Sequence, residues 1–342
     1  MPKPPARPPL KQRTSSRPLK RAGAAVMPAP KPAALPLIVA PWPDEPFTAY
    51  LAAEGTLCDL MRELGDDVSA VYDRLFVGKG SPRAAAWAAN VWQDPRVLTI
   101  ASIGDGVRQL KAIQRNWALL PFAHHRRAAL IEEQLPKVSS KPVVFGEPAP
   151  SAPLGSWTLL APDLILASPT CSSAFRHGEP AFVENRDGPP NRAYLKLWEA
   201  FTVLGVRPGA GDVCLDLGAC PGGWSWVLQG CGASVIAVDK APLDLAIAAL
   251  PRISVRQQSA FALEPSGVGH IDWLLSDIVC YPERLLRLVQ RWLDTGFTGK
   301  CLCTLKFQGE TDFAAMAAFA AIPGSRLLHL HHNKHELTWV RL

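Results

Sequence analysis

The chain has 342 residues, 48% of them hydrophobic, which is enough to bury more than one core, and no apolar run reaches the roughly 20 residues of a membrane-spanning helix. Its net charge of +6 is uneven: residues 1–43 hold Lys3, Arg7, Lys11, Arg13, Arg17, Lys20, Arg21 and Lys31 with no acid, so the remainder is slightly acidic. The eight cysteines, at 58, 171, 214, 220, 231, 280, 301 and 303, form no C-x-x-C pair; this argues against a zinc ribbon or a disulfide framework and for a reduced, cytoplasmic protein.

The same N-terminal stretch is dense in proline, so residues 1–44 read as a disordered Pro-rich basic tail, unable to form a core and suited to loose contact with phosphates or to solvent alone. An organelle transit peptide is also acid-poor, but the prolines oppose the amphipathic helix such a signal needs.

From Glu45 a folded module is expected over 45–186. Phe47 to Leu51 reads as a strand, Thr56 to Leu64 as a helix closed by Gly65, and Val71 to Val77 as a second strand. The alanine-rich run from Ser81 to Trp92 reads as helix and Val97 to Ile103 as strand. Val107 to Trp117 and Arg126 to Leu135 follow as helices, the last with His124-His125-Arg126-Arg127 as either a solvated face or an RNA contact. A Pro-rich link from Lys141 to Pro153 precedes a hairpin formed by Trp157 to Leu160 and Leu164 to Ala167. Arg186-Asp-Gly-Pro-Pro-Asn191 is a run of turn formers. The whole reads as a smaller α+β module.

Residues 187–342 read as a second unit. A helix at Ala193 to Val203 leads into strands at 213–217, 234–238, 253–255, 272–277, 300–306, 326–331 and 336–341, with helices near 221–230, 242–249, 282–293 and 311–321. Strands alternating with helices imply a Rossmann-like α/β fold with a mostly parallel seven-stranded sheet. The last two strands have no helix between them and should pair as an antiparallel hairpin.

Within this unit, Val213-Cys-Leu-Asp-Leu-Gly-Ala-Cys-Pro-Gly-Gly-Trp224 is a buried strand ending in a carboxylate, then a glycine turn. Gly218, Gly222 and Gly223 let the main chain come close, and Pro221 suits the first position of a helix. Asp239 closes the next strand about twenty residues on, where a ribose-binding carboxylate is expected. The spacing G-x-x-x-G-G differs from the G-x-G-x-x-G of dinucleotide sites, and no G-x-x-x-x-G-K-[ST] phosphate loop occurs. This turn resembles the S-adenosylmethionine site of the FtsJ-like RNA 2′-O-methyltransferases, whose first motif is close to D-x-G-x-x-P-G-G-[WF].

Four charged residues close or open elements of the same unit: Lys196 in Asn191-Arg-Ala-Tyr-Leu-Lys-Leu-Trp-Glu-Ala-Phe201, Asp277 after Trp273-Leu-Leu-Ser276, Lys306 ending Cys301-Leu-Cys-Thr-Leu-Lys306, and Glu336 opening Glu336-Leu-Thr-Trp-Val-Arg341. They resemble the K-D-K-E catalytic tetrad of that family, in order and context. With Gln290-Arg-Trp-Leu293 and Thr304-Leu-Lys306, they are similar to its M-type 23S rRNA cytidine 2′-O-methyltransferase branch over about residues 187–342. The resemblance implies S-adenosylmethionine as cofactor, bound by Asp216, Gly218, Cys220, Pro221, Gly222, Gly223, Trp224, Asp239, Ser259, Phe261 and Asp277. It implies large-subunit rRNA as partner, no membrane, and a THUMP-type RNA-binding region upstream, for which 46–165 is short. Ser259 departs from the family, which carries an adenine-facing Asp there.

In that scheme Lys306 is the general base. Lys196 and the cofactor sulfonium favour its neutral form, Asp277 opposes them while holding it in place, and Glu336 orients Lys196 or the ribose. Two other readings stay open: methylation of tRNA or another rRNA site, and a catalytically silent RNA-binding assembly factor. His329, His331, His332 and His335 lack the Cys or carboxylate pattern of a tetrahedral metal site and read as a solvated turn, so no metal is expected. Cys220, inside the glycine turn, suits packing on the cofactor better than nucleophilic attack. A monomer is the working expectation.

Overall fold

A computed structural model of the protein describes residues 45–297 and 299–342, all within one compact unit. The expected basic tail, 1–44, lies outside the described residues.

The N-terminal region contains two four-stranded sheets. The first takes β1 (Phe47–Ala52), β2 (Val68–Tyr72), β3 (Leu75–Lys79) and β4 (Ala88–Trp92) in the order β2-β3-β1-β4, with helix α1 (Leu57–Leu64) between β1 and β2. The second takes β5 (Arg96–Thr99), β6 (Trp117–Leu119), β7 (Gly155–Ala161) and β8 (Leu164–Ser168) in the order β5-β8-β7-β6, flanked by α2 (Ile103–Ile113) and α3 (His125–Glu132). They share a core that joins Ala49, Leu51, Val77 and Trp92 of the first to Leu166 of the second.

Two expectations change here. The single strand expected at 71–77 is two, because Asp73 adopts a positive φ of 53° and turns β2 into β3. The helix expected at 81–92 is an irregular segment followed by strand β4. Its alanines favour helix, but pairing with β1 and burial of Trp87 and Trp92 decide the outcome.

The Pro-rich link does not hang free. Val143 bridges to Phe182, and Phe145 stacks on Trp198 at 4.8 Å and 2°. Trp198 belongs to α4 (Tyr194–Leu204), the helix that opens the C-terminal unit.

That unit is built on strands β9 (Val213–Leu217), β10 (Ser234–Asp239), β11 (Ile253–Gln257), β12 (Trp273–Ser276), β13 (Lys300–Lys306), β14 (Ser325–Leu328) and β15 (Glu336–Arg341). Their order is β11-β10-β9-β12-β13-β15-β14, with β15 antiparallel to both its neighbours. Helices α5 (Gly223–Gly230), α6 (Leu245–Ala248), α7 (Pro282–Asp294) and α8 (Phe313–Ala320) connect them. The central strands are buried on both faces, which is why they read as continuous apolar runs. Seven strands, the mostly parallel order and the terminal hairpin follow the sequence expectation.

The helix expected from Pro221 starts two residues later. Gly222 has φ 122°, outside helical space, so the turn cannot extend the helix back to Pro221, whose bond to Cys220 is cis. No helix among the described residues is long and apolar enough to cross a membrane.

Candidate active site

The carboxyl ends of β9, β10 and β12 open onto a cavity of about 400 Å³, a size suited to a small-molecule ligand. Gly218, Cys220, Asp239, Ser259, Phe261 and Asp277 line it, six of the eleven residues expected to hold cofactor. Gly218 sits at φ 83°, and a Cβ there would lie 2.7 Å from Ile278. The glycine is thus required for the main chain to pass between β10 and the segment after β12. Asp239 is fixed by two main-chain donors, Cys220 N–H at 3.0 Å and Ala241 N–H at 2.9 Å, one on each carboxylate oxygen. Each oxygen keeps a lone pair for a ligand hydroxyl.

The other five expected residues lie elsewhere. Asp216 is buried at 1% exposure. One of its oxygens accepts the Ser225 hydroxyl at 2.7 Å and the other, Oδ1, has no partner. Burial pushes its carboxyl up to about 7 against the Ser225 hydrogen bond, with the Asp277 and Asp239 charges adding to the rise. Pro221 joins the turn to α6, its carbonyl accepting Asp244 N–H at 3.0 Å. Gly222, Gly223 and Trp224 face the protein interior. A Cβ at Gly222 would meet Ile247 at 2.7 Å, one at Gly223 would meet Asn191 Oδ1 at 2.3 Å, and Trp224 Nε1 donates to Ala193 O at 3.0 Å. Asn191 in turn accepts Ala193 N–H. The second half of the glycine turn therefore braces the start of α4, which carries Lys196.

Lys196, Asp277, Lys306 and Glu336 meet at one point beside this cavity. Lys196 Nζ lies 3.2 Å from Asp277 Oδ1 and 2.5 Å from Glu336 Oε1, and Lys306 Nζ lies 3.0 Å from Asp277 Oδ1. Lys306 also donates to the Asp277 carbonyl at 2.6 Å. All four side chains are less than a fifth exposed, so these ion pairs are only weakly screened. Burial opposes the Lys196 charge, yet the Asp277 and Glu336 carboxylates outweigh it and hold its pKa above the ordinary lysine value. The sheet register supplies the alignment, since Lys306 and Glu336 are cross-strand partners at the end of the β13–β15 ladder.

Lys240, Ile278, Val279 and Arg284 also line the cavity, and the sequence reading missed them. Lys240 follows Asp239, and Ile278-Val279 follow Asp277, so the rule that ligands sit at strand ends could have found these three. Arg284, on α7, rests over the Phe261 ring at 3.8 Å, a contact no sequence spacing announces.

The histidine-rich turn is not a solvated one. Glu199, buried on α4 one turn after Lys196, accepts the main-chain N–H groups of His331 and His332 at 2.6 and 2.9 Å and contacts His332 Nδ1 at 2.6 Å. His329 and His335 pack on Trp87. Among the described residues, no group of three or more His, Cys, Asp or Glu side chains is arranged to hold a metal.

Residues 189–299, which include the glycine turn, Asp239, Lys196 and Asp277, match the FtsJ-like methyltransferase family. This segment is similar to an FtsJ-like methyltransferase domain. Three curated proteins named "Ribosomal RNA large subunit methyltransferase M" are similar to it. Those of Alkalilimnicola ehrlichii and Halorhodospira halophila are 35% identical over 164 and 158 residues, and that of Pectobacterium carotovorum is 30% identical over 166. Each match covers 44% of this chain and 44 to 46% of the relative, so less than half the length of these relatives is spanned. Among solved structures, a Burkholderia thailandensis 1,6-didemethyltoxoflavin-N1-methyltransferase with bound S-adenosylhomocysteine is 18% identical. It covers 44% of this chain and 78% of its own, at a TM-score of 0.33.

The cofactor of the FtsJ-like domain is S-adenosylmethionine, and the residues present fit it. Asp239 offers acceptors to ribose hydroxyls, Phe261 offers an apolar face to a base, and Asp239 and Asp277 place two carboxylates on the wall of a site for a cationic sulfonium.

Proposed function

We propose that the protein transfers a methyl group from S-adenosylmethionine to a ribose 2′-hydroxyl of RNA, with a cytidine of 23S rRNA as the target. The observation that carries this reading is the convergence of Lys196, Asp277, Lys306 and Glu336 at the edge of the cofactor cavity.

When bound, the cofactor supplies an electrophilic methyl group. The protein must then orient a ribose hydroxyl and take its proton. Lys196 is committed to two carboxylates, whereas Lys306 has one carboxylate and one carbonyl and forms part of the cavity wall. Lys306 is therefore the amine placed to accept the proton. Asp277 holds both lysines, and Glu336 fixes Lys196 and offers an acceptor to the ribose. Asp216, Gly218, Cys220, Pro221, Gly222, Gly223, Trp224, Asp239, Ser259 and Phe261 form or support the cofactor pocket. The region 45–186 would deliver RNA to it, as the THUMP-type resemblance implies.

The names of the curated relatives favour large-subunit rRNA over tRNA as substrate. The complete lysine–carboxylate cluster favours an enzyme over a silent assembly factor. Incubating the protein and labelled S-adenosylmethionine with total RNA from a strain lacking it, then mapping the label by mass spectrometry, tests the reading. Label is expected on one ribose of 23S rRNA. Label on a base would overturn ribose methylation, and label on tRNA would overturn the rRNA assignment.

A further inference from the structure

Lys306 and Glu336 are the last pair of the β13–β15 ladder, so beyond them the sheet no longer fixes the chain. The segments that leave this pair, Phe307 to Thr311 on one side and His335 on the other, rest on the N-terminal region. Trp87 is fully buried. Its ring stacks on His335 at 5.4 Å and 17° and packs on Phe307 at 5.7 Å, while Phe307 and His335 touch each other at 5.6 Å. Two of the ring partners of Trp87, Phe307 and His335, are thus the immediate chain neighbours of Lys306 and Glu336.

Helix α1 completes the clamp. Asp59 and Arg62, one turn apart on the same face, reach Thr311 and Phe313: Thr311 Oγ1 donates to Asp59 Oδ1 at 2.5 Å, and the Arg62 guanidinium lies 4.7 Å from the Phe313 ring centre. Because the threonine has one hydroxyl proton and gives it to Asp59, its contact with His335 Nε2 at 3.0 Å requires the histidine to be the donor. A relay therefore runs from His335 through Thr311 to Asp59. One turn beyond Asp59, on the same side of the helix, Glu63 accepts the main-chain N–H groups of Ala86 and Trp87 at 2.7 and 3.0 Å, so the same helix also sets the indole.

We infer that Asp59 and Trp87 are positioning residues of the methyl-transfer centre, which act through Thr311, His335 and Phe307 to hold Lys306 and Glu336 in register. The inference rests on the reading above for what the centre does. It adds that the N-terminal region is a structural part of that centre as well as a route for RNA. None of the clamp residues lines the cofactor cavity, so their loss should leave cofactor binding intact.

Thr311→Val in the full chain removes only the hydroxyl at nearly constant shape. It is expected to speed main-chain hydrogen exchange in 307–311 and 333–336 about tenfold and to leave the rest of the chain unchanged. Turnover should fall on the order of ten- to a hundredfold, with KM for RNA and S-adenosylmethionine affinity by calorimetry unchanged. Asp59→Ala should behave alike. Asp59→Asn, which keeps an acceptor for Thr311, should recover most of the loss, a rescue that a general loss of stability would not show. Wild-type exchange in both segments for Thr311→Val and Asp59→Ala would overturn the inference. A wild-type protein that binds cofactor but methylates no RNA would overturn the proposed function instead, and the exchange experiment would still decide the clamp.

Discussion

The cofactor cavity and the lysine–carboxylate cluster share Asp277 and Lys306, yet they are assembled in different ways. The cavity comes from consecutive strand ends, with Gly218, Asp239 and Asp277 each closing an apolar run, and its wall needs little beyond the parallel sheet. The cluster takes one side chain each from α4, the end of β12, β13 and β15. Its geometry depends on braces from afar: Trp224 and Asn191 under α4, Glu199 under the histidine-rich turn, Trp87 and Asp59 over the far side. A site built from adjacent loops tolerates distant change, whereas one built from four separate elements inherits the stability of everything that holds them together.

The sharpest separation of the two halves is Lys306→Ala. It should lower methyl transfer on the order of a thousandfold or more while S-adenosylmethionine affinity, measured by calorimetry, stays near the wild-type value. Retained turnover would remove Lys306 as the base, and lost binding would show that the halves cannot be separated.

Asp216 tests the buried side of the cavity through pH. Its carboxyl sits at about 7, well above its ordinary 3.8, so the folded protein keeps a proton that the unfolded chain releases between those values. This group therefore contributes stability at low pH that is lost as pH rises from about 4 to about 7. Urea unfolding across that range should show wild-type stability falling relative to Asp216→Asn, by up to ~4 kcal/mol. A difference that stays flat with pH would mean the carboxylate is ionised and solvated in the folded state.

Lys196→Met should be the costlier change for folding within the cluster. It leaves Asp277 and Glu336 close together without their shared cation, which predicts a loss of about 3 kcal/mol at neutral pH, read from denaturant midpoints at constant slope. An unchanged midpoint would mean that Lys306 alone neutralises both carboxylates. The smallest effect belongs to the cavity: Ser259→Asp restores a charged acceptor to its wall and should tighten S-adenosylmethionine binding by roughly three- to tenfold, with turnover at saturation unchanged. Weaker binding would move adenine recognition away from residue 259.

Much of this molecule is legible in its sequence because the signals are local. Buried parallel strands read as apolar runs, and the residue that ends each run is by geometry at the ligand face, so Asp239, Asp277, Lys306 and Glu336 could be named from position alone. Propensity was a weaker guide in the N-terminal region. Alanines at 84–86 and 88–89 favour helix, but β-pairing and the burial of two tryptophans outweigh the few tenths of a kcal/mol per residue that propensity supplies. The Gly222-Gly223-Trp224 turn suggests ligand contact in the sequence because a glycine signals close approach without saying what approaches. Here Ile247 and Asn191 approach Gly222 and Gly223, and the Trp224 indole holds α4.

The sequence by itself determined the alternation of strands and helices, the sheet with its antiparallel end, and the charges Asp277, Lys306 and Glu336, since each follows from periodicity or from the end of a strand. Lys196, inside α4, is marked only by the resemblance of its surrounding run to the family motif. Only the tertiary structure decided that Lys196 belongs to both carboxylates while Lys306 faces the cavity, that Arg284 lies over Phe261, and that Asp59 and Trp87 hold the ends of β13 and β15. These are contacts between residues far apart in the chain, and which side chain meets which is set by packing and desolvation, quantities that have no value until the chain is folded.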